Sequence, residues 1–386
     1  MSDAVARVAR DAVADAHAVL AGWAAQPSGS HDAEGLACMA RLVTARAATL
    51  PARAERVPLG PGNPSALRLV CRPEAARRVL LVGHMDTVHG PHFPGPAIAR
   101  TDDLLTGPGV ADMKGGILVM LAALAGLEAS HAAPVLGWEV LLTPDEELGA
   151  PLTRGLLTEA AGRAEAGLVF EPAPAGGGVV VSRRGRVVLR LTVTGRAAHA
   201  GRNPADGRNA VTALAELLLA AETCAEPARG VDVTVGLARG GTAVNVVPDH
   251  AEAQVDVRAD HPGALQGVRR RIAAAADEIG ARRDVRFAVE ELVGCPPMTS
   301  TPASLALAHA YDEGLATLGG EAQPVGVGGV SDANHLAGTG LPVLDGLGPE
   351  GGDLHGPGEW VSLASIPQRA AAAALLLARL AAGPVE

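Results

Sequence analysis

Five short stretches of this chain hold His, Asp or Glu where a reaction could use them. The first, Val79-Leu80-Leu81-Val82-Gly83-His84-Met85-Asp86, is an apolar run that reads as a buried parallel strand emptying into His84 and Asp86. Ligands of open α/β sheets sit at the carboxyl ends of strands. A His with an acid two residues on suits a metal ligand steadied by a neighbouring carboxylate. The second is Gly107-Pro108-Gly109, which delivers Asp112 to a strand-to-helix junction, where glycines let a carboxylate approach a cation without steric cost. The third is Thr143-Pro144-Asp145-Glu146-Glu147-Leu148-Gly149. Neighbouring side chains of a strand point to opposite faces, so Glu146 and Glu147 converge only where the backbone turns, and Pro144 and Gly149 bracket such a turn. The fourth is a buried strand ending in Glu171, and the fifth is the Gly-rich Gly351-Gly352-Asp353-Leu354-His355-Gly356.

Each stretch has a plainer reading: a structural histidine, a helix N-cap at Asp112, a solvated acidic loop before a helix. The set is more telling than its members. His84, Asp112, Glu147, Glu171 and His355 make two histidines and three carboxylates, each at a strand end or an adjacent loop. That composition suits two Zn²⁺ ions roughly 3.5–4 Å apart, bridged by one carboxylate and a water. Glu146, unligated beside Glu147, is then the candidate general base for that water.

The elements that must position these residues alternate. Helical spacing covers 3–25 and 32–49, with a loop at Gln26–Ser30 between them. Strands are expected at 53–58, 66–71, 78–83, 135–142 and 167–170, and helices at 113–127 and 152–163. This is an α/β pattern with a mostly parallel mixed sheet flanked by helices. After the Pro/Gly-rich segment 172–178 the pattern changes. Strands at 186–194, 231–238, 246–258 and 284–291 with helices at 208–224 and 262–279 give a βαββαβ sandwich. A free sheet edge there invites pairing with a second copy. From Gly294-Cys295-Pro296-Pro297 the first pattern returns: helix 302–318, strand 323–327, helix 332–338, strand 341–345 and helix 362–382. The expected organisation is a catalytic domain in two parts, 1–180 and 294–386, with 181–293 inserted.

At 386 residues, 48% hydrophobic and 19% charged, the chain has material for more than one core. Aromatics are 2%, so Ala, Val and Leu must build it. A net charge of −10 without a basic run argues against nucleic acid. Cys38, Cys71, Cys224 and Cys295 lie far apart with no CxxC, which fits a reducing compartment and excludes a structural zinc finger. The charged N-terminus lacks the apolar core of a signal peptide, and no apolar run is expected to span a membrane. The expectation is a cytoplasmic protein.

In order, HMDTV, GPGVADMKGG, TPDEELG, LVFEP, GRAAHAG, GGTAVNVVPD, DVR, GGVSDANHLA and LDGLGPEGGDLHGPGEWV resemble the M20 family of zinc aminoacylases and carboxypeptidases, with the glutamate carboxypeptidase (carboxypeptidase G) branch nearest. The resemblance spans about residues 79–362. It implies that His84 and Glu171 hold one zinc, Glu147 and His355 the other, and that Asp112 bridges them, with Co²⁺ or Mn²⁺ as substitutes. It implies Asp86 behind His84 and Glu146 as base. It makes the inserted domain a lid that also forms a homodimer, with His199 reaching the partner's active site to steady the oxyanion. Asn245 and Arg258 resemble the binders of a substrate carboxylate, Arg258 as a bidentate fork. The segment Gly328–Asp332 would line that end of the pocket as backbone scaffolding. His89, His92 and His335 lie near motifs without a matching role. The implied activity is zinc-dependent hydrolysis of an amide or peptide bond beside a free carboxylate, on an N-acyl amino acid or short peptide. The alternatives are a deacylase of substrates such as acetylornithine or succinyl-diaminopimelate, a non-catalytic ligand-binding member, and an amide-forming enzyme.

Overall fold

The structure, a computed structural model, describes residues 2–90, 95–130 and 133–385; His92 and His131 lie outside these. The chain divides into two units. One takes Met1–Ser182, Ser300–Val327 and Ser331–Glu386, the other Arg183–Thr299 and Gly328–Val330.

The first unit is built on a six-stranded sheet in the order Arg53–Pro58, Ser65–Cys71, Leu136–Thr143, Arg77–His84, Ala166–Val169, Val343–Leu344. The last four strands are parallel, and the first two add an antiparallel edge hairpin. The central strands carry apolar side chains on both faces because both are covered. Val79 and Leu81 join the core under the helices Ser2–Asp11, Gly116–Glu128 and Ser365–Ala382, while Leu80 and Val82 are buried on the other side. Register does the positioning. His84 lies opposite Thr143 and Val82 opposite Val169, so three strand ends stand abreast, each followed by an acidic loop.

The expected helix over 3–25 is two helices, Ser2–Asp11 and Ala16–Ala24. The break is held by Arg46, whose guanidinium takes the Asp15 carboxylate and the freed Ala12 carbonyl. Glycine explains the entry of the helix Gly116–Glu128: a Cβ at Gly116 would overlap the carbonyl oxygen of Phe170, so only glycine lets the helix meet the strand end that carries Glu171. Contrary to expectation, the stretch Val110–Glu128 has the length and mean hydropathy, 1.7, of a membrane span, but Asp112 and Met113 interrupt it, the regular helix is Gly116–Glu128, and 89% of the apolar window is buried inside the protein.

A small sheet that the sequence did not announce joins Gly351–Gly352, Trp360–Ser362, Leu104–Thr106 and Ala99–Thr101. Strands of two or three residues are too short to carry a periodic signal. This sheet holds both ends of the loop that bears His355. Likewise Val179–Arg183, which follows the Pro/Gly-rich segment 172–178, is a strand paired with Pro324–Val327.

The second unit is an antiparallel sheet in the order Val231–Gly240, His250–Ala259, Gly185–Thr194, Arg286–Cys295, packed against the helices Ala210–Glu222 and Pro262–Arg283. Val187, Leu189, Leu191 and Val193 alternate into its core. Pairing of the last strand runs on to Cys295 opposite Arg186, so regular structure continues past 291, where the sequence pattern stops.

Candidate metal centre

His84 ends the central strand and is 1% exposed. Its Nδ1–H points at the backbone carbonyl of Asp86, 2.9 Å away, which turns Nε2 outward. Nε2 lies 3.0 Å from Asp112 Oδ1 and 3.7 Å from Glu171 Oε1. The other oxygen of Asp112, Oδ2, is 3.2 Å from His355 Nε2, which in turn is 3.1 Å from Glu147 Oε2. One carboxylate therefore stands between two imidazoles, with a further carboxylate beside each. All five residues of the sequence set converge. Ligand atoms of His84, Asp112 and Glu147 fall within 4.8 Å of one another.

His355 reaches the cluster from a loop with left-handed residues at Asp353 (φ 51°) and His355 itself (φ 61°). The backbone N–H of Gly358 donates to Asp353 Oδ2. A Cβ at Gly356 would strike the same carboxylate and push it aside, so glycine there leaves Asp353 free to take the Gly358 N–H. The His355 side chain is 52% exposed, the open flank of an otherwise buried cluster.

The electrostatics are those of a cation site. Burial penalises the charged form of His84, but hydrogen bonds to Asp112 and Asp86 and the nearby Glu171 outweigh it and hold its pKa well above the ordinary imidazole value. Hydrogen bonds to Asp112 and Glu147 push His355 up to about 10. Burial works to raise Asp112, yet the two imidazoles hold it well below the usual carboxylate range. Burial raises Glu147, and its Oε1 is buried with no hydrogen-bond partner. A metal bound there would take the place of protons on the two imidazoles, since a ligating imidazole is neutral. Two imidazole nitrogens and three carboxylates, one orphaned oxygen among them, fit a pair of divalent cations.

Glu146 and Glu147 sit in a one-turn helix, Glu146–Leu148, closed by Gly149 at φ 84°. Asp86 pins this turn. Its carboxylate accepts from the backbone N–H of Glu146 and of Glu147, each at 3.2 Å, and from Ser30 Oγ at 2.7 Å. So Asp86 meets His84 Nδ1 with its backbone carbonyl at 2.9 Å and with its carboxylate Oδ1 at 3.4 Å, and the same carboxylate holds the two glutamates. Burial, followed by the charges of Glu171, Asp332 and Glu147, lifts Glu146 well above a solvated glutamate against the pull of His84. That is the direction a proton acceptor working near neutrality needs.

The profile of Peptidase family M20/M25/M40 matches residues 80–379. The chain belongs to peptidase family M20. Carboxypeptidase G2 of a Pseudomonas species is 30% identical over 370 residues, 92% of this chain and 87% of that protein. A succinyl-diaminopimelate desuccinylase of Methylorubrum extorquens is 31% identical over 341 residues, 79% of this chain and 84% of the relative. Among solved structures, aminopeptidase PepT of Bacillus cereus superposes with a TM-score of 0.79 at 20% identity, covering 96% of this chain and 99% of that one. An M20 family metallo-carboxypeptidase of Sulfolobus solfataricus gives 0.72 at 15% identity, covering 93% and 97%. The chain is thus a metal-dependent hydrolase of amide bonds, with the α/β fold of the family.

Three further sequence-expected residues lie in the second unit. His199 is exposed in a two-residue strand paired with Val246–Val247, and its Nδ1 accepts from the N–H of Gly201 and Arg202, leaving Nε2 to carry the proton. Asn245 is exposed, and its carbonyl accepts from Ala200 N–H. Arg258 is held by Asp256 Oδ1 at 3.0 Å and the Gly328 carbonyl at 3.1 Å.

Sequence reasoning passed over several buried polar groups around the centre. Lys114, 1% exposed, donates to the carbonyls of Trp23, Gln26 and Pro108, and burial lowers its pKa to about 8. Asp332 was expected as backbone scaffolding. Instead its buried carboxylate accepts from Thr143 Oγ1, and burial raises its pKa to about 7. Glu359 and His89 form a buried pair at 3.0 Å. A charged residue inside a Gly-rich or apolar stretch was the available signal in each case.

Proposed function

We propose that the chain is a dinuclear zinc hydrolase that cleaves an amide or peptide bond adjacent to a free carboxylate. The observation that carries the reading is the Asp112 carboxylate with one oxygen toward His84 and the other toward His355. In this reading His84 and Glu171 hold one zinc, His355 and Glu147 the other, and Asp112 both; Co²⁺ or Mn²⁺ can substitute. Bound there, the metal pair polarises the scissile carbonyl and makes water acidic near neutral pH. Glu146 takes the proton of the attacking water and returns it to the leaving nitrogen, so one carboxylate serves as base and then acid. His199 donates Nε2–H to the developing oxyanion, from the partner of a homodimer formed through the second unit. Arg258 and Asn245 receive the substrate carboxylate. Free thiols at Cys38, Cys71 and Cys224 support a reducing compartment such as the cytoplasm.

Similarity to carboxypeptidase G2 supports a C-terminal-glutamate or related N-acyl amino acid substrate, and similarity to the desuccinylase supports the second reading, deacylation of an N-succinyl amino acid. A panel of N-acyl amino acids and C-terminal Glu, Asp and Ala dipeptides, assayed with Zn²⁺, separates the two. Turnover of acyl-glutamate above succinyl-diaminopimelate supports the first, and the reverse order supports the second. Equal turnover of free acids and their methyl esters contradicts both.

A further inference from the structure

Asp112 sits on a chain segment that bends sharply, so something must hold its carboxylate between two imidazoles. The geometry points to Glu359 as that device: we infer that its buried carboxylate is the positioning residue that aims Asp112, and that it thereby sets the affinity of the metal pair. The inference rests on the reading of Asp112 as a metal bridge.

Glu359 is 1% exposed. Its Oε1 accepts from the backbone N–H of Ala111 and of Asp112, both at 3.0 Å. Its Oε2 accepts from Gly109 N–H at 2.9 Å and from His89 Nε2–H at 3.0 Å. A carboxylate only accepts, so all four partners must be donors, and this fixes the His89 tautomer at that nitrogen. Three of the four donors belong to the turn that carries Asp112. Gly109 within it has φ 70°, and this bend aims several N–H groups at one anion. From the other side Lys114 ties the same segment to the carbonyls of Trp23, Gln26 and Pro108. Glu359 itself enters from the loop shared with His355, four residues earlier. Thus the carboxylate that faces both imidazoles and one of those imidazoles are braced through the same short loop.

Bonds from a charged group to backbone N–H are stronger than neutral ones, and here water is excluded. Glutamine has the same shape but presents an NH₂ to one pair of donors. His89 could answer by changing tautomer, whereas Gly109, Ala111 and Asp112 N–H cannot. Glu359→Gln should therefore loosen the Asp112 turn while leaving the sheet and core untouched.

The test is a double-mutant cycle read as Zn²⁺ affinity, by competition with a chromogenic chelator, on the full chain. Glu359→Gln should weaken zinc about 10–100-fold, the range for residues that orient a ligand. His89→Gln, which removes one donor of four, should weaken it less. In an Asp112→Ala background both changes should weaken zinc much less, because no bridging side chain remains to be aimed and only the brace on the His355 loop is lost. A merely structural role would cost the same in both backgrounds. Should Glu359→Gln fail to fold, judged by circular dichroism and gel filtration of the metal-free protein, His89→Gln carries the same cycle. Unchanged affinity in a folded variant, or equal losses in both backgrounds, overturns the inference. Unchanged zinc binding in Asp112→Ala alone overturns the metal reading instead.

Discussion

Glu146 and Glu147 are adjacent in sequence and are assigned opposite tasks. Glu147 Oε2 faces His355, whereas Glu146 is raised by burial and by neighbouring carboxylates. Glu146→Gln keeps the shape and removes the proton site, so kcat should fall by roughly 10²–10⁴ with zinc content unchanged. Loss of zinc at constant turnover per zinc would mean that the two roles are exchanged. Asp86 acts on both at once. Asp86→Ala leaves the N–H groups of Glu146 and Glu147 and the Ser30 hydroxyl without their acceptor, and zinc affinity should drop about 10–100-fold, as read by the same chelator competition. The Asp332 carboxyl offers a pH signature. Its pKa is about 7 in the folded protein against an ordinary value of 3.8. Between those values the folded form holds a proton that the unfolded form has released, so stability falls as pH rises from about 4 to about 7 and the penalty is then constant, on the order of 4 kcal/mol. Asp332→Asn should raise the Tm of the metal-free protein at pH 8 and leave it unchanged near pH 4; an equal shift at both would refute the assignment. Much of this scale was legible in the sequence, because His, Asp and Glu at the ends of apolar runs stand out. Ser30, Lys114, Asp332 and Glu359 did not. A charge inside a Gly-rich or apolar stretch marks Lys114, Asp332 and Glu359 as unusual, but the distant groups they bond leave no trace in local pattern.

At the scale of elements, the parallel register sets three strand ends side by side, and close packing keeps them there. Gly116→Ala tests this: the new Cβ would meet the Phe170 carbonyl, so the helix or the strand end before Glu171 must move. The expected result is a lower Tm, by about 1–3 kcal/mol of stability, together with weaker zinc binding; wild-type values of both would show that the approach is not needed. The long helices and buried strands were readable from periodicity, with ends off by a few residues. The small sheet around Trp360–Ser362 and the strand Val179–Arg183 were not. The strands of that sheet, two or three residues each, give no period, and the five residues of Val179–Arg183 pair with partners far along the chain. The break at residues 12–15 depends on Arg46, more than thirty residues on.

At the scale of the whole molecule, the sequence changes from parallel αβ alternation to antiparallel alternation at 172–178 and back near 294, whereas the two units divide after Ser182 and after Thr299, with Gly328–Val330 joining the second. How the second unit takes part in the reaction is the proposed element. Arg258→Ala should raise KM for a free-acid substrate about 10–100-fold, as loss of a charge-assisted pair of roughly 1.5–3 kcal/mol requires, with little change for the corresponding amide. If His199 acts in the partner's site, inactive Glu146→Gln and His199→Ala dimers should recover activity on subunit exchange, toward about a quarter of wild type, since half the dimers are mixed and each has one intact site. Verified exchange without recovery would assign His199 to its own chain or to no catalytic role. The central claim, that His84, Asp112, Glu147, Glu171 and His355 together hold a zinc pair on which hydrolysis depends, is tested most directly by titrating zinc into the chelator-stripped chain. Native mass spectrometry would count ions per chain while hydrolysis of an N-acyl-glutamate is followed in the same samples. Activity should rise to a plateau at two zinc per chain. Full hydrolysis by the stripped protein, or saturation at two zinc with no hydrolysis of any N-acyl amino acid or dipeptide, would contradict it.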